Sequence, residues 1–116
     1  MNKHVKFFKE NKLKSDEKIL DSMEGWIGKM MGKEEDTQHN GALILTDSRV
    51  VFFRKGWFGE QIRQIKLEKI SSIDNSSFMG FKSITFHTSN DEIEFKTFED
   101  KKTASRWQNT AEELIN

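Results

Sequence analysis

The spacing of apolar positions changes character along the chain, and each change marks an element. Between residues 2 and 13, Val5, Phe8 and Leu13 fall near helical spacing while Lys3, Lys6, Lys9 and Lys12 recur every third residue, which predicts a short basic amphipathic helix. Ser15 and Asp16 break that pattern. Ile19, Met23 and Ile27 then predict a first strand over 17–27 that ends in Gly25-Trp26-Ile27-Gly28. Residues 29–40, KMMGKEEDTQHN, carry an acidic run and no period, and read as a long loop.

Beyond that loop the pattern is one of short strands. Leu43 to Leu45 and Val50 to Phe53 are apolar runs separated by Thr46-Asp47-Ser48, the arrangement of an antiparallel hairpin. Gly56-Trp57-Phe58-Gly59 forms the next turn. Ile62, Ile65 and Leu67 lead through a tight link at Glu68-Lys69 to Ile70 and Ile73. Ile84 and Phe86 alternate with polar neighbours, Ser89-Asn90-Asp91 turns the chain, and Ile93 and Phe95 alternate again. From about Glu99 the period becomes 3.6: Ala104, Trp107, Ala111, Leu114 and Ile115 share a stripe, with Thr97 and Asp100 placed to cap its start.

A run of strands followed by one helix excludes a βαβ sheet. The expected fold is mainly β with a C-terminal α-helix: a bent antiparallel barrel of about seven strands, its open end capped by that helix, plus a short N-terminal helix. The expected division is an N-terminal helix over residues 1–15 and a barrel domain over 16–116. Only 34% of the 116 residues are hydrophobic, but ten Phe and three Trp enlarge what each can bury, so the core should be small and aromatic.

Composition narrows function mainly by exclusion. Without cysteine there is no disulfide framework, thiolate metal site or cysteine nucleophile. Equal numbers of basic and acidic residues, 19 of each, argue against a nucleic-acid binder. No run approaches the roughly 20 apolar residues of a membrane span, so a soluble cytoplasmic protein is expected.

The segments Glu17-Lys18-Ile19-Leu20, Gly41 to Phe53 with its Leu-x-Leu-Thr-Asp-x-Arg-x-x-Phe form, Gly56-Trp57-Phe58-Gly59, and Ile65 to Ile73 ending in Lys69-Ile70-Ser71-Ser72-Ile73 resemble the bacterial pleckstrin-homology-like domains, most closely the YokE-like group. The likeness runs from about Asp16 to the C-terminus. Its motif is structural: Thr46 and Asp47 are suited to fold back onto turn N–H groups, and the isoleucines to face the interior. The resemblance implies a non-catalytic module that binds proteins, lipids or its own copies.

Two surfaces are candidates. Aromatics on glycine-flanked turns are difficult to bury and anchor interfaces well, which makes Trp26, Ile27, Trp57 and Phe58 candidate protein contacts, with an unknown protein or a homo-oligomer as partner. Their alternative role is packing at the barrel end. Lys3, Lys6, Phe7, Lys9, Lys12, Lys29 and Lys33 are the candidate contacts of a second mode, an adaptor on an anionic membrane. The competing role for the helix is a solvated one whose Phe8 packs on the domain. Phosphoinositide binding of the eukaryotic type is disfavoured, because Lys29 and Lys33 are followed by Glu34, Glu35 and Asp36 and the next strand is apolar at 43–45. His39 beside the acidic run lacks the ligand alternation of a calcium loop. Neither it, His4 nor His87 completes a catalytic constellation, so no enzyme activity and no cofactor are expected.

Overall fold

A computed structural model describes residues 2–27, 40–57, 59–78 and 80–115. Helix α1 (Lys3–Asn11) is followed by strands β1 (Ile19–Gly25), β2 (Gly41–Thr46), β3 (Arg49–Gly56), β4 (Gly59–Lys66), β5 (Ser72–Phe78), β6 (Phe81–His87) and β7 (Glu92–Thr97), and by helix α2 (Lys101–Ile115). The strands form two antiparallel meanders, β1-β2-β3-β4 and β5-β6-β7. The expected order of seven strands and two helices is therefore present. The tight link at Glu68-Lys69 is a 3₁₀ turn, Leu67–Lys69, so Leu67 and Ile70 flank or fill a corner and lie outside the strands.

The two sheets meet at one corner. Trp26 and Lys96 exchange backbone hydrogen bonds, each at 2.9 Å, joining the end of β1 to β7. A Cβ on Gly25 would lie 2.3 Å from the Lys96 carbonyl oxygen, so only glycine permits this approach. On the other side, β4 and β5 are the outer strands of their sheets and no ladder joins them among the described residues.

Between the sheets lies the main core: Leu43, Leu45, Val50 and Phe52 from one, Ile84, Phe86, Ile93 and Phe95 from the other, and Ala104, Trp107 and Ala111 of α2 as the plug. Trp107 is fully buried, meets Phe86 edge-on at 5.8 Å, and donates its indole N–H to the Leu43 carbonyl at 3.1 Å. Asp100 caps α2 by accepting from the Thr103 N–H at 2.7 Å. Thr97 has another task, donating to the Glu24 carbonyl at 2.6 Å while accepting from the Glu99 N–H at 3.0 Å.

A second core covers the outer face of the first sheet. Ala42, Ile44, Val51 and Phe53 point away from the main core and are sealed by Val5 and Phe8 of α1, with Phe7, Leu13 and Ile19 at the margin. Phe7 stacks on Phe53 at 5.8 Å and Phe8 tilts against it at 5.7 Å. Burial of Phe8 and Val5 fixes α1 on the sheet, each contributing about 1.5 to 3 kcal/mol.

A polar staple holds the far end of α1. The Glu17 carboxylate accepts from Arg49 Nε and Nη2 at 2.8 and 2.9 Å, Thr46 Oγ1 at 2.6 Å, Ser48 Oγ at 3.0 Å and the Lys14 N–H at 3.1 Å. Arg49 also donates to the Lys12 carbonyl at 3.1 Å, and its guanidinium lies 5.1 Å from the Phe8 ring centre. Thr46 folds back on its turn as expected, accepting from the Ser48 and Arg49 N–H groups. Asp47 instead reaches across to the Lys18 N–H at 3.2 Å. Burial alone would raise the Glu17 pKa, but hydrogen bonds from Arg49, Thr46, Lys14 and Ser48 outweigh it and hold the carboxyl at about 2, against an ordinary 4.5.

Two stability measurements check this packing. Trp107→Ala should cost about 3 to 5 kcal/mol in urea unfolding, because it removes the plug and strands the Leu43 carbonyl. An unchanged midpoint would mean that α2 does not dock through this residue. The unfolded chain takes up the Glu17 proton near pH 4.5 and the folded chain only near 2. The carboxylate's contribution is thus complete above pH 4.5 and lost as pH falls toward 2, amounting to roughly 3 kcal/mol. The stability gap between wild type and Glu17→Gln should close over that window; a gap independent of pH would contradict the staple.

Candidate functional site

Packing α1 against the sheet brings its first turn beside the β3–β4 hairpin. Lys3, His4 and Phe7 from α1, Arg54, Lys55, Gly56 and Trp57 from the hairpin, and Asn40 from the entry to β2 line one open cleft of about 770 Å³. None of these lining residues is acidic. The paired glycines explain the hairpin geometry: Gly56 and Gly59 face each other across the last ladder position, and Gly59 has φ 152°. The turn holds Trp57 outward, 96% exposed, at a position where its ring has no place in the core.

The charged groups lining the cleft are Lys3, Arg54 and Lys55. His4 is buried, and its Nδ1 accepts from the Lys55 N–H at 3.0 Å, leaving Nε2 as the N–H of the neutral ring. Burial, then the charges of Lys3 and Arg54, lower its pKa from 6.5, with Glu24 opposing weakly, so the ring stays neutral at pH 7. Glu24 itself is engaged by the Asn2 side-chain amide at 3.2 Å. Lys55 extends over the Phe7 ring, its Nζ 5.6 Å from the centroid. Arg54 belongs to the inward-facing set of β3, yet its guanidinium folds past the strand end: a Cβ on Gly56 would lie 2.7 Å from Nη1. Neither the Lys3 nor the Arg54 side chain has a hydrogen bond or ion pair among the described residues.

The sequence candidates are thereby sorted. Lys3, Phe7 and Trp57, drawn from the two separate candidate surfaces, come together here. Lys6 and Lys9 are exposed on α1 outside the cleft, and Lys12 pairs with Glu60 at 2.8 Å. Trp26 is only 1% exposed, packed 5.6 Å from Phe81 and 4.8 Å from Phe98, with its indole N–H unpartnered among the described residues. It takes the packing role, because the Trp26–Lys96 bridge pulls its backbone into the corner between sheets. Ile27 is half-buried against the main core. Lys29, Lys33 and Phe58 lie outside the described residues. Arg54, Lys55 and His4 are not among the contact candidates read from the sequence, where His4 is weighed only for catalysis; the adjacent basic pair just before a Gly-Trp turn is the available signal.

The family model of the bacterial PH domain matches residues 13–113. The chain belongs to the bacterial PH-domain family. Solved structures agree on the fold of this PH domain. The C-terminal domain of an unknown protein from Leishmania infantum superposes with a TM-score of 0.65 at 19% identity, covering 96% of this chain and 94% of that one. The Vps36 N-terminal PH domain superposes with a TM-score of 0.65 at 14% identity, covering 89% and 82%. No curated protein matches the chain. Helix α1 ends before residue 13, so the cleft combines a hairpin of the family domain with a helix outside the matched segment.

Trp57 should also be the protein's single readily quenched fluorophore, because Trp26 and Trp107 are 1% and 0% exposed. Trp57→Phe is expected to abolish most acrylamide-quenchable emission while changing unfolding stability by less than about 0.5 kcal/mol. A large loss of stability would place the ring in a packed environment.

Proposed function

We propose that this PH domain is a non-catalytic protein-binding module of the cytoplasm, close to the YokE-like members of its family, whose contact surface is centred on Trp57. The observation that carries the reading is the 96% exposure of a tryptophan at a hairpin tip, beside cations that have no ion pair among the described residues. An exposed indole costs apolar hydration in the free protein and becomes a contact anchor once covered. The adjoining outer edge of β4, exposed along most of its length with Ile62 42% exposed, offers backbone groups that a partner strand or a second copy could pair.

A membrane adaptor is the second reading, and the cationic rim of Lys3, Arg54 and Lys55 around Trp57 favours it. It is weaker because Val5 and Phe8 are spent on the sheet, so α1 has no apolar face left to insert. Among the described residues no helix is long and apolar enough to cross a membrane.

A photo-crosslinking residue, p-benzoylphenylalanine, placed at position 57 of the full chain in the cells that make it should yield a discrete protein adduct. An adduct of twice the chain mass would identify self-association, and a larger or smaller increment a separate partner. The same residue at position 102 on α2 should give none. No protein adduct at 57, together with sedimentation on anionic vesicles, would overturn the protein-contact reading.

A further inference from the structure

We infer that the cleft beside Trp57 takes an acidic segment of its protein partner, carboxylates meeting Lys3, Arg54 and Lys55 while an apolar neighbour covers the indole. The inference rests on the protein-contact reading and adds the chemistry of what is bound. Among the described residues every ionised side chain lining the cleft is a cation, and His4 offers its ring N–H as a donor. A site whose charged groups are all cations discriminates for anions, since a basic segment would meet like charges and an uncharged one would leave cations unmatched.

Two features favour a stretch of chain over a single small oxyanion. The cleft is open and about 770 Å³, and its cations come from separate elements, Lys3 on α1 and Arg54 and Lys55 on β3. Charge alone would also suit a free anion, but the aromatic surface between the cations, Trp57 and the Lys55-covered Phe7, has no counterpart on a small ion. Gly56 contributes by omission. Without a side chain there, the Arg54 guanidinium can lie across the strand end and reach the cleft.

Titration of the purified full chain with an oligoglutamate peptide carrying a central leucine, followed by tryptophan emission, tests this directly. The expected result is a saturable blue shift that weakens with salt, is lost in Trp57→Phe, and is absent with the matching oligolysine peptide. Lys3→Gln and Arg54→Gln should each weaken binding about three-fold, and their combination about ten-fold, as expected for partly exposed charge pairs. Lys82→Gln, on the other sheet, should leave it unchanged. Gly56→Ala, which keeps all charges but displaces the guanidinium, should resemble Arg54→Gln.

No saturable shift with the acidic peptide, or a shift indifferent to Lys3 and Arg54, would overturn the inference. So would a response to phosphatidylserine vesicles or inorganic phosphate that the peptide fails to reproduce. If the position-57 adduct forms in cells but survives Lys3→Gln/Arg54→Gln undiminished, the contact reading stands and the acidic partner falls. Absence of any adduct at 57 in the chain that keeps Lys3 and Arg54 would instead remove the contact reading.

Discussion

Strands β2 and β3 are apolar on both faces, and the need to keep both faces from water organises the molecule. Every residue of β2 is buried, as are the first five of β3. A sheet whose central strands are apolar throughout cannot leave one side solvated, unlike the usual antiparallel meander with one wet face. The inner side is met by the second sheet and α2, which gives the core in which Trp107 sits. The outer side is met by α1. The helix is therefore a cover required by the strands beneath it, and its orientation is set by where Phe53 and Val51 need contact.

Electrostatics then fixes the ends of that cover. Glu17 and Arg49 are both buried, and a buried ion pair repays its desolvation only when nearly every donor and acceptor is matched. Here the carboxylate has donors from Arg49, Thr46, Ser48 and the Lys14 backbone, and the guanidinium reaches the Lys12 carbonyl as well. The pair thus ties the exit of α1 to the β2–β3 turn. At the other end of α1, the Asn2 side chain caps the helix through the His4 N–H at 2.7 Å, and His4 in turn accepts from Lys55. With both ends held, Lys3 and Phe7 have a defined place relative to the β3–β4 hairpin. The cleft follows from core packing, with no element dedicated to it alone.

The two tryptophan turns show how closely similar local sequences diverge. Trp26 is itself the point at which the end of β1 meets β7, so its ring is drawn between Phe81 and Phe98. Trp57 lies at the hairpin tip between β3 and β4, where no surface among the described residues covers it. Burial of one and exposure of the other is a consequence of strand pairing at long range. The same logic separates the lysines of α1: a repeat every third residue spreads them around the helix, so Lys3 enters the cleft, Lys12 meets Glu60, and Lys6 and Lys9 remain in solvent.

What the amino-acid sequence determined is the set and order of elements, because period and turn chemistry are local. The alternation at Ile84/Phe86 and Ile93/Phe95, the helical stripe from Ala104 to Ile115, the Asp100 cap and the Thr46 turn all act within a few residues. The unbroken apolar runs at 43–45 and 50–53 even carried the demand for a second cover, although nothing local named α1 as the element that meets it. Tertiary structure alone decided which residues share a surface. Glu17 meets Arg49 across 32 positions, and His4 meets Lys55 across 51. Such contacts depend on register and on which face each strand turns outward, and a pattern of residue types along one dimension does not encode a meeting between distant segments.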